Sequence, residues 1–456
     1  MITLQLYRQT GDYVVEWFDR TLSWLRPRPK ERAIAYGRGI HALPNPKEKE
    51  LFEEASNAFI RGDILEGYHR FLASLIHSEI SHLPHHLKII PDSGSLRFEL
   101  IQGSAIIKAL VTPEYLEAYA DIAVAESLHV AVKRRFLERN FQFTYSRFSN
   151  EKGVIRISIR LDNVTITPQK IFFPLREIAL NADFEKEFIA SEFDESVLLE
   201  YDHMLPIDPI RIQRLYETMR TWIAQTKESL IGLLSNDNTG MASFSYLALL
   251  LQIDYLLLPH KKMAKNINEK INGYFLEDEK LTEDKNVDLE TFLAELETMS
   301  YEEFSSQFYD SSYTFSPYDQ AMHDEIAYFI EESLTKVRWY KNNHTNYVIS
   351  VIYRYVALYI LYNYGLHPSL RALMHLHVEV YAGDFFEGEG ERRLYEPQTG
   401  TFQKNLIRER ITSAIEPYTE RYKGLKNFAD DLNYSNLEHF SQSFYLNLKN
   451  LDYTES

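Results

Sequence analysis

The chain has 456 residues, which is too long for one ordinary core and suits two or three domains. Hydrophobic residues make up 45% and charged residues 25%, globular values that exclude disorder as the main state. With 66 acidic against 49 basic residues the formal net charge is −17, which disfavours nucleic acid as a partner, and the absence of cysteine excludes disulfides, thiolate nucleophiles and cysteine metal sites.

The amino terminus, Met1 to Arg8, lacks the basic-then-apolar order of a signal peptide, so the expectation is a soluble, cytoplasmic protein. Gly11 to Leu25 has Val14, Trp17, Phe18, Leu22 and Leu25 at helical spacing, and Arg26-Pro27-Arg28-Pro29 stops it. Trp17 and Trp24 on this opening helix are candidate docking residues. A loop follows to residue 46. Lys47 to Ile80 reads as a helical hairpin broken at Arg61-Gly62-Asp63, where Gly62 and Asp63 suit a C-cap and an N-cap.

Strands begin at Leu87 to Ile90. Leu96 to Leu100 alternates, turns at Gln102-Gly103 and returns as Ala105 to Val111. Thr112-Pro113 predicts a helix start, and Leu116, Tyr119, Ala120, Ala123, Val124, Ser127, Leu128 and Ala131 trace a stripe at spacings of three and four. Lys133, Arg134, Arg135 and Arg139 then suit a helix carboxyl end, closed by Asn140. Phe141, Phe143 and Tyr145 alternate as a further strand. In Val154 to Leu161 the isoleucines 155, 157 and 159 share a face with Leu161, opposite Arg156, Ser158 and Arg160. Val164 to Ile166 could extend the sheet, and a helix resumes by Pro174 towards Phe188.

This order, α-βββ-α-ββ-α over roughly Lys47 to Asp194, resembles the fold shared by type III secretion chaperones and the YbjN-like proteins. The resemblance implies an α+β domain with one antiparallel sheet backed by helices on a single face. It also implies a chaperone-like protein that holds a partner segment against sheet and helices, often as a homodimer. The polar side of the sheet, with Arg97, Glu99, Arg156 and Arg160, would then be wet or covered by a partner, and strand addition at a sheet edge would be the mechanism.

From Asp208 the pattern is helical. Candidates are Ile210 to Leu234, Ala242 to Leu257, Met263 to Phe275, Leu289 to Phe308, Gln320 to Tyr340 and Asn346 to Tyr364, with two more across Phe402 to Phe444. Glu277 to Asp288 reads as an acidic linker, Gly383 to Gly400 as a loop, and Leu366 to Tyr381 fits helix or strand. Met241 to Leu258 and Tyr347 to Tyr364 approach spanning length, but Gln252, Asp254 and Arg354 mark them as core helices rather than membrane insertions. The expected organisation is an N-terminal helix and Pro-rich linker (1–46), an α+β domain (47–200) and a large all-α domain (201–456).

Two histidine groups suggest metal chemistry. His69, His77, His82, His85 and His86, with Glu79, crowd one stretch, but their spacing suits a polar helix end better. In His375-Leu376-His377-Val378-Glu379, a strand would put His375, His377 and Glu379 on one face, whereas a helix would scatter them. Arg371 and His377 also match the R-x(4–6)-H spacing of HEPN-type ribonucleases, which resemble this half in being helical. No phosphate loop, dinucleotide fingerprint, nucleophile elbow or H-E-x-x-H is present, and no cofactor is expected. Acidic pairs such as Glu53-Glu54 read as solvated helix faces. The 31 tyrosines and 27 phenylalanines supply core filler and interface anchors. A non-enzymatic protein-binding adaptor is the leading expectation, and a metal- or RNA-dependent enzyme in the helical half is the alternative.

Overall fold

A computed structural model describes residues 36–37, 42–76, 86–193, 197–231, 239–277, 279–343, 347–451 and 453. The helix expected over residues 11–25, with Trp17 and Trp24, lies outside them, as do His77, Glu79, His82 and His85.

The first helices form as the caps dictate. Asn45 and Glu48 make a reciprocal capping box of 2.9 and 3.0 Å at the start of α1 (Pro46–Ile60). Gly62, at φ +80°, carries the left-handed turn into α2 (Ile64–Ser74), a conformation that costs other residues strain. Six strands follow: β1 (Leu87–Asp92), β2 (Ser95–Gln102), β3 (Ala105–Val111), β4 (Tyr115–Val124), β5 (Arg147–Glu151) and β6 (Val154–Asp162). They form one antiparallel sheet in the order β1-β2-β3-β4-β6-β5. The molecule is therefore α+β, as expected: a single antiparallel layer with helices packed against it, followed by a large helical part.

The helix predicted from Thr112 to Ala131 is instead a strand and a shorter helix. Thr112 caps a tight turn: its N–H donates to the Tyr115 carbonyl at 2.9 Å, and its hydroxyl accepts from Glu114 and Tyr115 N–H. Leu116, Ala118, Ala120 and Ile122 then alternate into the core. The alanines satisfy a helical stripe and a strand alternation equally, and pairing with β6 from Tyr115↔Asp162 to Val124↔Val154 decides between them. The basic residues belong to α3 (Val130–Arg139), which Asn140 closes as expected. The order is thus αα-ββββ-α-ββ-α.

Phe141 to Tyr145 does not form a strand. Backbone N–H groups of Thr144, Tyr145 and Ser146 all donate to the Glu177 carboxylate at 2.7–2.9 Å, which curls the segment into a turn. Burial raises the Glu177 carboxyl pKa, yet these donors outweigh it and hold the group below its usual range. Val164 to Ile166 is likewise outside the sheet. Helix α4 (Pro168–Glu192) starts earlier than expected, with Thr167 as N-cap, and runs through Pro174. Ile171, Leu175, Ile178, Ala179 and Ala182 on α4 share a buried cluster with the inner face of the sheet.

The helical half contains α5 (Pro209–Leu230), α6 (Thr239–Gln252) ending in a π-helical turn (Ile253–Leu257), α7 (Lys261–Leu276), α8 (Thr282–Thr298) and α9 (Tyr301–Ser305). It continues with α10 (His323–Asn342), α11 (Tyr347–Asn363), α12 (Pro368–Tyr381), α13 (Gly383–Gly388), the small hairpin β7 (Tyr395–Glu396) and β8 (Thr401–Phe402), α14 (Lys404–Ile415) and α15 (Leu437–Lys449). The single helix expected over Leu289 to Phe308 is two, separated where Ser300 caps α9. Part of the expected acidic linker is the first two turns of α8, where Glu283 and Asp284 favour the helix dipole. The segment 366–381 is helical, because His367 caps it and Pro368 occupies its first turn.

Among the described residues one helix, Thr239–Leu257, is long and apolar enough to cross a membrane, and 83% of its apolar window is buried inside the protein. A second large cluster of buried residues runs from Ile212 to Leu451 and includes this helix and α11.

The two clusters are locked together at the β2–β3 turn. The Gln102 side-chain oxygen accepts from Thr314 N–H at 3.0 Å and Phe315 N–H at 2.8 Å, and its amide donates to the Phe315 carbonyl at 3.2 Å. Gly103 N–H donates to the Ser312 carbonyl at 2.9 Å. Phe315 thereby enters the sheet-side core, edge-on to Phe172 at 5.4 Å.

Candidate partner-binding face

The outer face of the sheet is built by the same alternation that builds the core. From Arg97 on β2 to Arg160 on β6, every residue that the pleat turns outward keeps partial or full exposure. Register aligns Lys88, Glu99, Lys108, Tyr119, Ser158 and Arg147 in one row across the strands. A second row runs Ile90, Arg97, Leu110, Glu117 and Arg160. Arg97, Glu99, Arg156 and Arg160 therefore lie on one surface, as the sequence indicated.

Most of the first row is internally paired. Lys88 meets Glu99 at 3.8 Å, and Lys108 is paired with Glu200, whose hydrogen bond holds the ammonium pKa above its usual value. Arg156 reaches Asp121 through two hydrogen bonds of 2.7 and 3.3 Å and lies 3.8 Å over the Tyr119 ring. Its pKa is raised, chiefly by the Asp121 hydrogen bond. Arg160 lies 4.3 Å over the Tyr115 ring. Among the described residues neither Arg97 nor Arg160 has an ion-pair partner, and both are exposed beside Leu110, Tyr115 and Ile90. The surface offers aromatic and aliphatic area with two unpaired guanidinium groups, a composition suited to protein recognition.

The helical candidates come together only in part. Along α12, Arg371, His375 and Glu379 share one side and His377 another. Arg371 donates to the Tyr36 carbonyl at 2.7 Å, and Tyr36 stacks on His375 with ring centres 5.1 Å apart. The two His375 nitrogens lie 2.9 Å from the Tyr255 hydroxyl and 3.1 Å from Glu379, and the second Glu379 oxygen pairs with Arg410. His377 is fully buried, 3.2 Å from the Ser441 hydroxyl and among Tyr381, Phe444 and Tyr445. Burial pushes its pKa down to about 3, so the ring is neutral at pH 7. The segment is the helix that Pro368 favours, which removes His377 from the set but leaves His375 against Glu379, and Arg371 and His377 face apart.

Of the other histidines, His69 is exposed and His86 is buried with its ring 3.0 Å from the Leu75 carbonyl. Among the described residues no group of three or more His, Asp or Glu side chains could hold a metal ion.

The chain is an α+β protein whose outer sheet face is left at least partly exposed by the described residues. No protein-family pattern matches it, and no curated protein matches it.

Proposed function

We propose that this protein is a non-enzymatic, chaperone-like adaptor that holds a segment of another protein against the outer face of its sheet. The observation that supports this most is the row Ile90–Arg97–Leu110–Glu117–Arg160, in which unpaired charge and apolar area stay accessible together. The element order, with one leading strand more than the pattern of the secretion chaperones and YbjN-like proteins, remains similar to theirs and supports the same reading. The face is better suited than the edge. Edge strand β1 carries Pro91 and Lys88, features that discourage strand addition, and edge strand β5 is only five residues long.

The double variant Arg97→Glu, Arg160→Glu is expected to weaken capture of the partner from the source cell by more than about tenfold, with an unchanged melting temperature, because both side chains are exposed. Equal capture by wild type and variant, measured by quantitative mass spectrometry, would remove the proposal.

A further inference from the structure

Arg354 stands apart from the salt-bridged, half-buried arginines of this fold. Arg135 and Arg139 share Glu185, Arg156 has Asp121, Arg211 and Arg214 share Glu389, and Arg410 has Glu379 and Glu391. Arg354 is the single charge in α11, a helix otherwise made of aliphatic, tyrosine and small polar residues. Among the described residues it has no carboxylate partner, and its Nε is sealed from water with no hydrogen-bond acceptor. Burial holds its pKa below the usual arginine value, and among the described residues the Tyr381 hydroxyl on the neighbouring helix opposes this.

A buried guanidinium without an acceptor costs several kcal/mol, which folds normally offset with a carboxylate. Here the described residues supply none. The residue is only partly covered, and of its guanidinium nitrogens Nε alone is both sealed and without an acceptor. Tyr381 belongs to a polar string, its hydroxyl 2.8 Å from that of Ser441, which in turn lies 3.2 Å from His377. This gives the region hydroxyl groups.

We propose that Arg354, beside Tyr381, is a binding site for a small oxyanion, a phosphate or a carboxylate, which completes the charge balance of the α11–α12 pair. The planar fork of the guanidinium fits either group in bidentate fashion. The inference is independent of the sheet face.

The test compares thermal unfolding of the full chain in sodium chloride, sodium phosphate and sodium acetate at equal ionic strength. Wild type is expected to gain about 2 to 4 °C in one of the two oxyanions relative to chloride. The phosphate arm identifies a phosphate ligand and the acetate arm a carboxylate. Arg354→Met is expected to melt higher than wild type in chloride and to lose that gain. Equal responses of wild type and Arg354→Met to both salts would overturn the site, since general salt effects act on both alike. Should Arg354→Met not fold, amide hydrogen exchange of wild-type α11 decides. Slower exchange at residues 350–358 in either oxyanion supports the site, and no change in both refutes it.

Discussion

Gln102→Leu is expected to lower the unfolding free energy by about 3 kcal/mol. The leucine fills the same volume but removes the acceptor for two backbone N–H groups, Thr314 and Phe315, and the donor to the Phe315 carbonyl. Gln102 is 1% exposed, so water cannot replace what is lost. The cost also falls on packing, because these bonds hold Phe315 in the sheet-side core against Phe172. Urea denaturation followed by far-ultraviolet circular dichroism measures it. A midpoint that moves by less than the equivalent of about 1 kcal/mol would show that the loop at 311–316 is held by other contacts.

The second large effect is on acid stability, through His377. Its pKa is about 3 in the fold and 6.5 for an unperturbed imidazole, a shift caused by burial. The unfolded chain therefore binds a proton that the native chain refuses. The stability due to the neutral ring is complete above pH 6.5 and is lost as pH falls from there towards 3, at about 1.4 kcal/mol for each pH unit. Wild type should lose about 2 kcal/mol between pH 6.5 and 5 from this group. His377→Gln, which keeps an amide for Ser441 and cannot titrate, should start less stable at pH 7 and lose about 2 kcal/mol less over that interval. Parallel pH profiles for the two proteins would mean that His377 accepts its proton inside the fold.

The sequence revealed the sheet where one periodicity excludes the other. Isoleucines 155, 157 and 159 allow no helical face, and Leu96 to Val111 alternates around a turn that Gly103 fixes with φ +54°. It misled where alanine removes the contrast, at Leu116 to Ala131, and where a capping pattern at Thr112 also suits a hairpin turn. The charged outer face was legible because it is the complement of that alternation. The roles of Gln102 and Glu177 were not, since their partners lie 212–213 and 31–33 residues away and only the folded chain joins them. Arg354 was visible as a lone charge in an apolar run, but its lack of a carboxylate is a property of packing. The histidines at 375 and 377 were separated by a single decision, helix over strand, which the capping pair His367 and Pro368 carries.

Site-specific photocrosslinking tests the binding face most directly. Benzoylphenylalanine placed at Leu110 or Tyr119 on the sheet, and at exposed Tyr328 on α10 as a control, is irradiated in the source cell. One discrete protein adduct is expected from positions 110 and 119 and none from 328. Adducts from 328 alone would put the partner on the helical half and contradict the account.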